Sequence, residues 1–360
     1  MNAQTLEIRP FTPEAYEDVF DLYDRAWPDN VERRKTAFRW LHEGNPFARR
    51  DRSYLLGYKG GVLAGYWGRM PMRFYHRGLP VDTVFNQEAL VDPAFRRQGI
   101  ARALMEASTA DEELYLSLWH NAKIVSLLES AGWSSVGQYR TRKKLYRMDR
   151  LLSWKLRSTA LGRTVGTPLN LVLRGIRSRR RSPTDVETES VNVFGPEVDA
   201  FFQEIVKDLP FIADRTSQVL NWRFGEVPHR NFRRLVARDG STGEFRGYMV
   251  VEVTQLSDEE LVRGDVVDFL VAPRDEAALG ALLSEADRLF LREKVDFGVV
   301  LQTLPLYHEV LTHEGFRPAR HPGVGSQLLF LDRRTKATPP PGNSYEDWFV
   351  TQGDSDGHLW

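Results

Sequence analysis

Apolar residues along this chain recur at two spacings, every second position and every third or fourth, and each spacing predicts its own element. TLEIRPF alternates as a short strand that Pro10 ends. Pro13 lies near the first turn of a helix running to about Arg25, and a second helix spans roughly 31–42 before Asn45-Pro46 closes it. SYLLGYKG and VLAGYWGRMPMRFY form an antiparallel pair around Gly60-Gly61, a strong hairpin signal. VDTVFNQEALV is the next strand. Asp92-Pro93 ends it, and Ile100, Ala103, Leu104 and Ala107 then return at helical spacing. ELYLSLWH (113–120) alternates as a buried strand, Asn121 caps a helix that Gly132 ends, and SSVGQYRTRKKLYR closes the unit as one last strand.

The same order starts again after residue 185. Trp40 and Trp222 stand 182 residues apart, as do Gly65-Tyr66 and Gly247-Tyr248. Pro93 and Pro273 differ by 180, and Gly132-Trp133 and Gly315-Phe316 by 183. One α/β unit is therefore present twice, at a period far too long for a solenoid. Two domains are also what 360 residues lead one to expect. The expected division is 1–147, a linker at 148–185, a second unit at 186–332 and a tail at 333–360. The tail opens proline-rich, yet Trp348, Phe349 and Trp360 predict that it docks back onto a domain.

Composition narrows the chemistry. The absence of cysteine excludes disulfides, thiolate metal sites and cysteine nucleophiles, and no metal site is expected. Lysine plus arginine balances aspartate plus glutamate at 49 each, but unevenly along the chain. Residues 140–181 hold fourteen basic side chains and one acid, Asp149, so the remainder of the protein is correspondingly acidic. This run reads as a linker packed across the domains, or as an amphipathic surface for an anionic membrane or an acidic carrier protein. Nucleic-acid contact is disfavoured because aromatic residues are sparse in it. Gly162, Gly166 and Pro168 are expected to break any single long helix there. No basic region followed by an apolar run opens the chain, and no apolar stretch approaches membrane-spanning length. A cytoplasmic protein is expected, with a peripheral position at the inner membrane face as the variant the basic run suggests.

The chemistry concentrates after the strand that ends at Val91. A strand feeding a glycine turn that opens a helix aims free backbone N–H groups at one spot, which is how proteins hold phosphate. Arg96, Arg97 and Arg102 add positive charge. Gly99 has no G-x-G before it, and the lysine–hydroxyl pair of a P-loop is missing, so neither motif applies. The sequence Arg96-Arg97-Gln98-Gly99-Ile100-Ala101, after Val91 and Pro93, resembles the pyrophosphate-binding motif of the GNAT acyltransferases, Arg/Gln-x-x-Gly-x-Gly/Ala. The resemblance implies two tandem GNAT-like domains, each a mixed, mostly antiparallel sheet flanked by helices. The second copy reads RDEAALGALL after Pro273, and its acids would repel a pyrophosphate. It is expected to be degenerate.

The resemblance also implies a reaction. Acetyl-CoA or another acyl-CoA would lie between the strands at 84–91 and 113–119, bound by Val91, Arg96, Arg97, Gln98, Gly99, Ile100, Ala101, Arg102 and Asn121. A primary amine of a small molecule or carrier-linked precursor would attack the thioester directly. The backbone N–H of Leu90 or Val91 would polarise the carbonyl. Glu88 is the first candidate base, with Asp82 and His120 behind it. The family tyrosine that serves as general acid is Leu128 here, which leaves an unassisted thiolate or another hydroxyl such as Tyr139. Tyr66, Trp67, Arg69 and Arg73 are candidates for the acceptor side, whereas Trp27 and Trp40 read as core. Transfer from aminoacyl-tRNA and a non-catalytic acyl-CoA-binding module are the alternatives. A monomer or a homodimer is expected.

Overall fold

The computed structural model of the chain describes residues 5–48, 54–111, 113–118, 122–139, 141–178, 185–256, 261–319, 327–335 and 342–355. The first unit begins with β1 (Leu6–Pro10), α1 (Tyr16–Ala26) and α2 (Val31–Glu43). The long hairpin follows as β2 (Tyr54–Lys59), β3 (Val62–His76) and β4 (Leu79–Val91). Then come α3 (Ile100–Ser108), β5 (Leu114–Ser117), α4 (Ala122–Ser130) and β6 (Ser134–Gln138). The strand expected to close this unit is two strands, because β7 (Arg142–Leu145) separates from β6 and joins the other sheet.

Between the units lies a helical hairpin, α5 (Met148–Leu156) and α6 (Thr159–Ser178). Here the sequence expectation fails: α6 runs through Gly162, Gly166 and Pro168 without a break. A Cβ at Gly162 would overlap Ser153, and one at Gly166 would overlap Asp149, both on α5. The two glycines are the packing stripe that lets the helix backbones touch, which offsets their low helix propensity.

The second unit contains β8 (Val186–Val191), α7 (Glu197–Ile205), β9 (Phe211–Ala213), α8 (Ser217–Gly225), β10 (Arg233–Asp239), β11 (Phe245–Leu256) and β12 (Leu261–Val271). It continues with α9 (Glu276–Arg292), β13 (Phe297–Val300), α10 (His308–His313), β14 (Arg317–Pro318) and β15 (Gln327–Asp332), and the tail adds β16 (Trp348–Phe349). The strand orders are β1-β2-β3-β4-β5-β15-β6 and β14-β7-β13-β12-β11-β10-β8. Each unit lends its last strand to the other: β15 lies between β5 and β6, and β7 between β13 and β14. The exchange is reciprocal, as an internal two-fold requires. At its centre Trp40 and Trp222, 182 residues apart, stack with ring centroids 4.6 Å apart. Trp40 Nε1 donates to the Trp222 carbonyl at 3.2 Å. Two residues recognised as copies of each other are thus partners across the pseudo-axis.

One continuous core joins the units, with Phe74, Phe85 and Leu116 in the same buried cluster as Phe202, Phe211 and Phe269. The tail closes it. β16 pairs with β9, which pairs in turn with the end of β3, and Trp348 and Phe349 are fully buried. Trp348 packs on Phe211 at 4.5 Å and on Phe330 at 5.9 Å. Trp360 lies outside the described residues. Trp348→Ala should lower stability by about 3–5 kcal/mol in urea unfolding; an unchanged midpoint would show that the tail is not part of the fold.

Candidate active site

The site begins with a misfit between two strands. β3 and β4 pair from His76↔Leu79 up to Arg69↔Asn86, but then Trp67 faces Ala89. Two residues of β4, Gln87 and Glu88, thus oppose the single Gly68, which is a β-bulge. A Cβ at Gly68 would sit 2.7 Å from the Glu88 carbonyl oxygen and 2.9 Å from Gln87, so only glycine fits. On its other side β4 pairs in parallel with β5 from Thr83↔Leu114 only as far as Asn86↔Ser117. Among the described residues the pairing stops there, and 87–91 of β4 has no strand partner on that side, which outlines a wedge.

The bulge also turns Gln87 and Glu88 to the same face. Gln87 Nε2 donates to the Tyr54 hydroxyl at 3.0 Å. The Glu88 carboxylate accepts from the Tyr66 hydroxyl and from that of Tyr23 at 3.2 Å, and forms an ion pair with Arg34. Arg34 in turn lies 3.6 Å over the Trp27 ring. Burial, and then the Glu88 charge, push both phenols well above their ordinary pKa, so they remain hydrogen-bond donors at neutral pH.

At the mouth of the wedge the chain turns into α3. Asp92 fixes the strand end, accepting from Ala94 N at 2.9 Å and from Arg25 at 2.7 Å. Arg97 and Gly99 both have positive φ, 62° and 78°. Gly99 is the N-cap of α3 and supplies no side-chain cap, and a Cβ there would meet nothing within 4 Å. The first N–H groups of a helix lack intrahelical partners, and here they start among Arg96, Arg97, Gln98 and Arg102, all exposed. Ile100 is buried and Ala101 half-buried, anchoring the helix against the sheet. At the last β4–β5 pair, Asn86 is 3% exposed, yet neither atom of its amide has a partner among the described residues. An extended, amide-bearing ligand beside β4 would meet that need, and a phosphate would meet that of the turn.

The structure gathers some of the expected residues and separates others. Glu88 and Tyr66 touch. Trp67 and Arg69, on the alternate face of β3, point away from them: Trp67 packs with Ile100 and Leu104, and Arg69 pairs with Asp111 at 3.0 Å. Arg73 pairs with Asp82 at 3.2 Å, and both line a separate cavity of about 240 Å³ with Phe47 and Glu113. Leu90 packs under α1 and α2, and Val91 against α3. Leu128 is buried in the α3–α4 layer, whereas Tyr139 lies in the main core, where burial pushes its hydroxyl pKa up. His120 and Asn121 lie outside the described residues. Arg34 and Tyr23 were not anticipated; on amphipathic helices they read as surface and core.

The second unit repeats the arrangement and fills it. β12 carries a bulge at the matching place, between Val250 and Val251 of its partner. Asp268 stands where Glu88 does, accepting from the Tyr248 hydroxyl at 2.7 Å and pairing with Arg215 at 3.1 Å. Here, however, the tail enters the wedge. Thr351 bridges to Gln302 and donates its hydroxyl to Asp268 at 2.7 Å, and Asp354 pairs with Arg215 at 2.7 Å. The following helix is also closed, because Asp275 caps α9 by accepting from Ala278 N at 3.0 Å. Among the described residues, no such partner occupies the first wedge or the first helix terminus. Among the described residues no cluster of histidine, aspartate or glutamate is suited to a metal.

Comparison with known proteins agrees with this geometry. Residues 16–118 match the acetyltransferase (GNAT) family. No curated protein matches the sequence. Among solved structures, a GCN5-related N-acetyltransferase from Anabaena variabilis superposes with a TM-score of 0.58 at 12% identity, over 92% of this chain and 73% of that one. Saccharomyces cerevisiae N-myristoyltransferase with bound myristoyl-CoA gives 0.57 at 15% identity, over 97% and 84%. A tandem GNAT protein from the clavulanic acid biosynthesis pathway gives 0.50 at 14%, over 92% and 100%. At such identities the superpositions establish a shared fold, the tandem arrangement included.

The glycines at the bulge and at the α3 N-terminus should respond differently to alanine. Gly68→Ala should cost about 1–3 kcal/mol through overpacking, and Gly99→Ala about 1–2 kcal/mol through backbone strain alone. If thermal unfolding shows Gly68→Ala to be neutral, the bulge is not sterically fixed.

Proposed function

We propose that the first unit, whose residues 16–118 match the acetyltransferase (GNAT) family, transfers an acyl group from acetyl-CoA or another acyl-CoA to a primary amine. The observation that carries this reading is the contrast between the units: the same bulge and carboxylate occur twice, but among the described residues the tail and a capping carboxylate fill the wedge and helix terminus of the second unit and not those beside β4. Pyrophosphate would rest at the α3 N-terminus among Arg96, Arg97 and Arg102, with the N–H groups of Gly99, Ile100 and Ala101 turned toward it. The pantetheine amides would continue the open edge of β4, opposite Asn86.

The amine would approach on the α1–α2 face, where Glu88 lies. Its lone pair attacks the thioester carbonyl, and the N–H of Leu90 or Val91 takes up charge on the oxygen. A proton passes from nitrogen to the Glu88 carboxylate, directly or through water, and the C–S bond breaks to release the CoA thiolate and the amide. Arg34, Tyr23 and Tyr66 hold Glu88 at one position and orientation, which is their contribution to the reaction. Buried Leu128 offers the thiolate no proton, so a leaving group stable as an anion is required, and a CoA thiolate meets that requirement. The acceptor is a small-molecule or carrier-linked amine.

Calorimetry with acetyl-CoA and CoA tests the donor site. Micromolar binding that Gly99→Asp abolishes is the expected result, and no measurable binding of any of several acyl-CoAs would contradict it. For the base, Glu88→Gln should lower kcat about 100-fold or more and leave CoA affinity unchanged. Equal turnover of the two proteins across pH would remove Glu88 from the mechanism.

A further inference from the structure

We propose that the α5–α6 hairpin docks the protein on an anionic phospholipid surface. The basic run divides in the structure. Arg142 and Lys144 belong to β7, where both are buried and Lys144 pairs with Asp287, so those charges serve the fold. The hairpin itself carries six arginines and lysines within 148–178, against the single acid Asp149. Asp149 is already engaged by Arg147 at 3.0 Å and by Asn170 at 2.8 Å. Lys155, Arg157 and Arg163 are exposed around the hairpin tip.

The same tip presents large apolar side chains to solvent. Trp154 is 46% exposed, Leu161 59% and Val165 52%. Leu156 and Leu169 are exposed as well. Leu161, Val165 and Leu169 recur every four residues and so form one stripe along α6. Burial against α5 does not account for that stripe, because Gly162 and Gly166 make that contact. A stripe of leucine and valine beside arginine and lysine, with a tryptophan at the turn, suits the boundary between headgroups and acyl chains. Among the described residues no helix is long and apolar enough to cross a membrane, so the hairpin lies along the surface. Exposed apolar side chains and exposed cations on one hairpin match the two parts of an anionic lipid surface, its acyl chains and its charged headgroups.

The test is flotation of the full chain with vesicles of phosphatidylcholine alone and of phosphatidylcholine mixed with phosphatidylglycerol. The protein should float only with the anionic vesicles and be released as salt is raised. A triple variant with Leu161→Ser, Val165→Ser and Leu169→Ser should bind vesicles about tenfold more weakly or worse, as should one with Lys155→Glu, Arg157→Glu and Arg163→Glu. Circular dichroism and acyl-CoA binding of both variants should match the parent, which separates this proposal from the donor-site reading. Absence of flotation with either vesicle type would overturn it. So would sedimentation showing a dimer that the serine variant dissolves, because a second copy would then cover the stripe, and so would salt-sensitive binding to an acidic carrier protein without vesicle binding.

Discussion

One extra residue in β4 shapes everything that follows it. With Gln87 and Glu88 both facing Gly68, the strand bends at this point. Among the described residues the pairing with β5 ends just before the bulge, at Asn86↔Ser117, and the edge beyond it is backbone that a neighbouring strand would otherwise use. The bulge also decides which side chains meet. It sets Gln87 and Glu88 on one face, so the carboxylate reaches Tyr66, Tyr23 and Arg34 instead of the α3 layer. A buried carboxylate without such partners would be costly. The network therefore stabilises the bulge that creates it.

Duplication provides an internal control. Both units keep the bulge, the Gly-Tyr pair and a carboxylate beneath it, so these features are compatible with two fates. In the second unit the tail lies across the wedge and its hydroxyl satisfies Asp268, while a carboxylate from the loop satisfies the helix terminus. The wedge and the helix terminus of the second unit thus both have intramolecular partners. The reciprocal exchange of β7 and β15 and the shared core hold the two together, so the second unit acts as scaffold even with its own wedge filled.

Much of this was legible in the residues. The constant offset near 182 announced the repeat, Gly99 announced the turn into α3, and the aromatic tail announced its docking. The strand exchange was not legible, because RKKL and QLLFLD satisfy the strand pattern equally well in either sheet and only assembly chooses between them. Reading 134–147 as one strand failed for the same reason. Tyr66 and Trp67 read as neighbours in one pocket, yet period-two alternation sends them to opposite faces, and only Tyr66 reaches Glu88. Gly162, Gly166 and Pro168 read as helix breakers because local propensity was all the sequence offered, whereas contact with α5 makes the two glycines necessary.

The central claim is that one wedge of two receives the acyl donor. Hydrogen–deuterium exchange of the full chain with and without acetyl-CoA tests it directly, since amides of the open β4 edge and of the α3 terminus exchange with solvent until a ligand pairs with them. The account predicts new protection at residues 87–91 and 98–102, and none at residues 266–271 or 275–279. Protection in the second unit, or none in either, would contradict it.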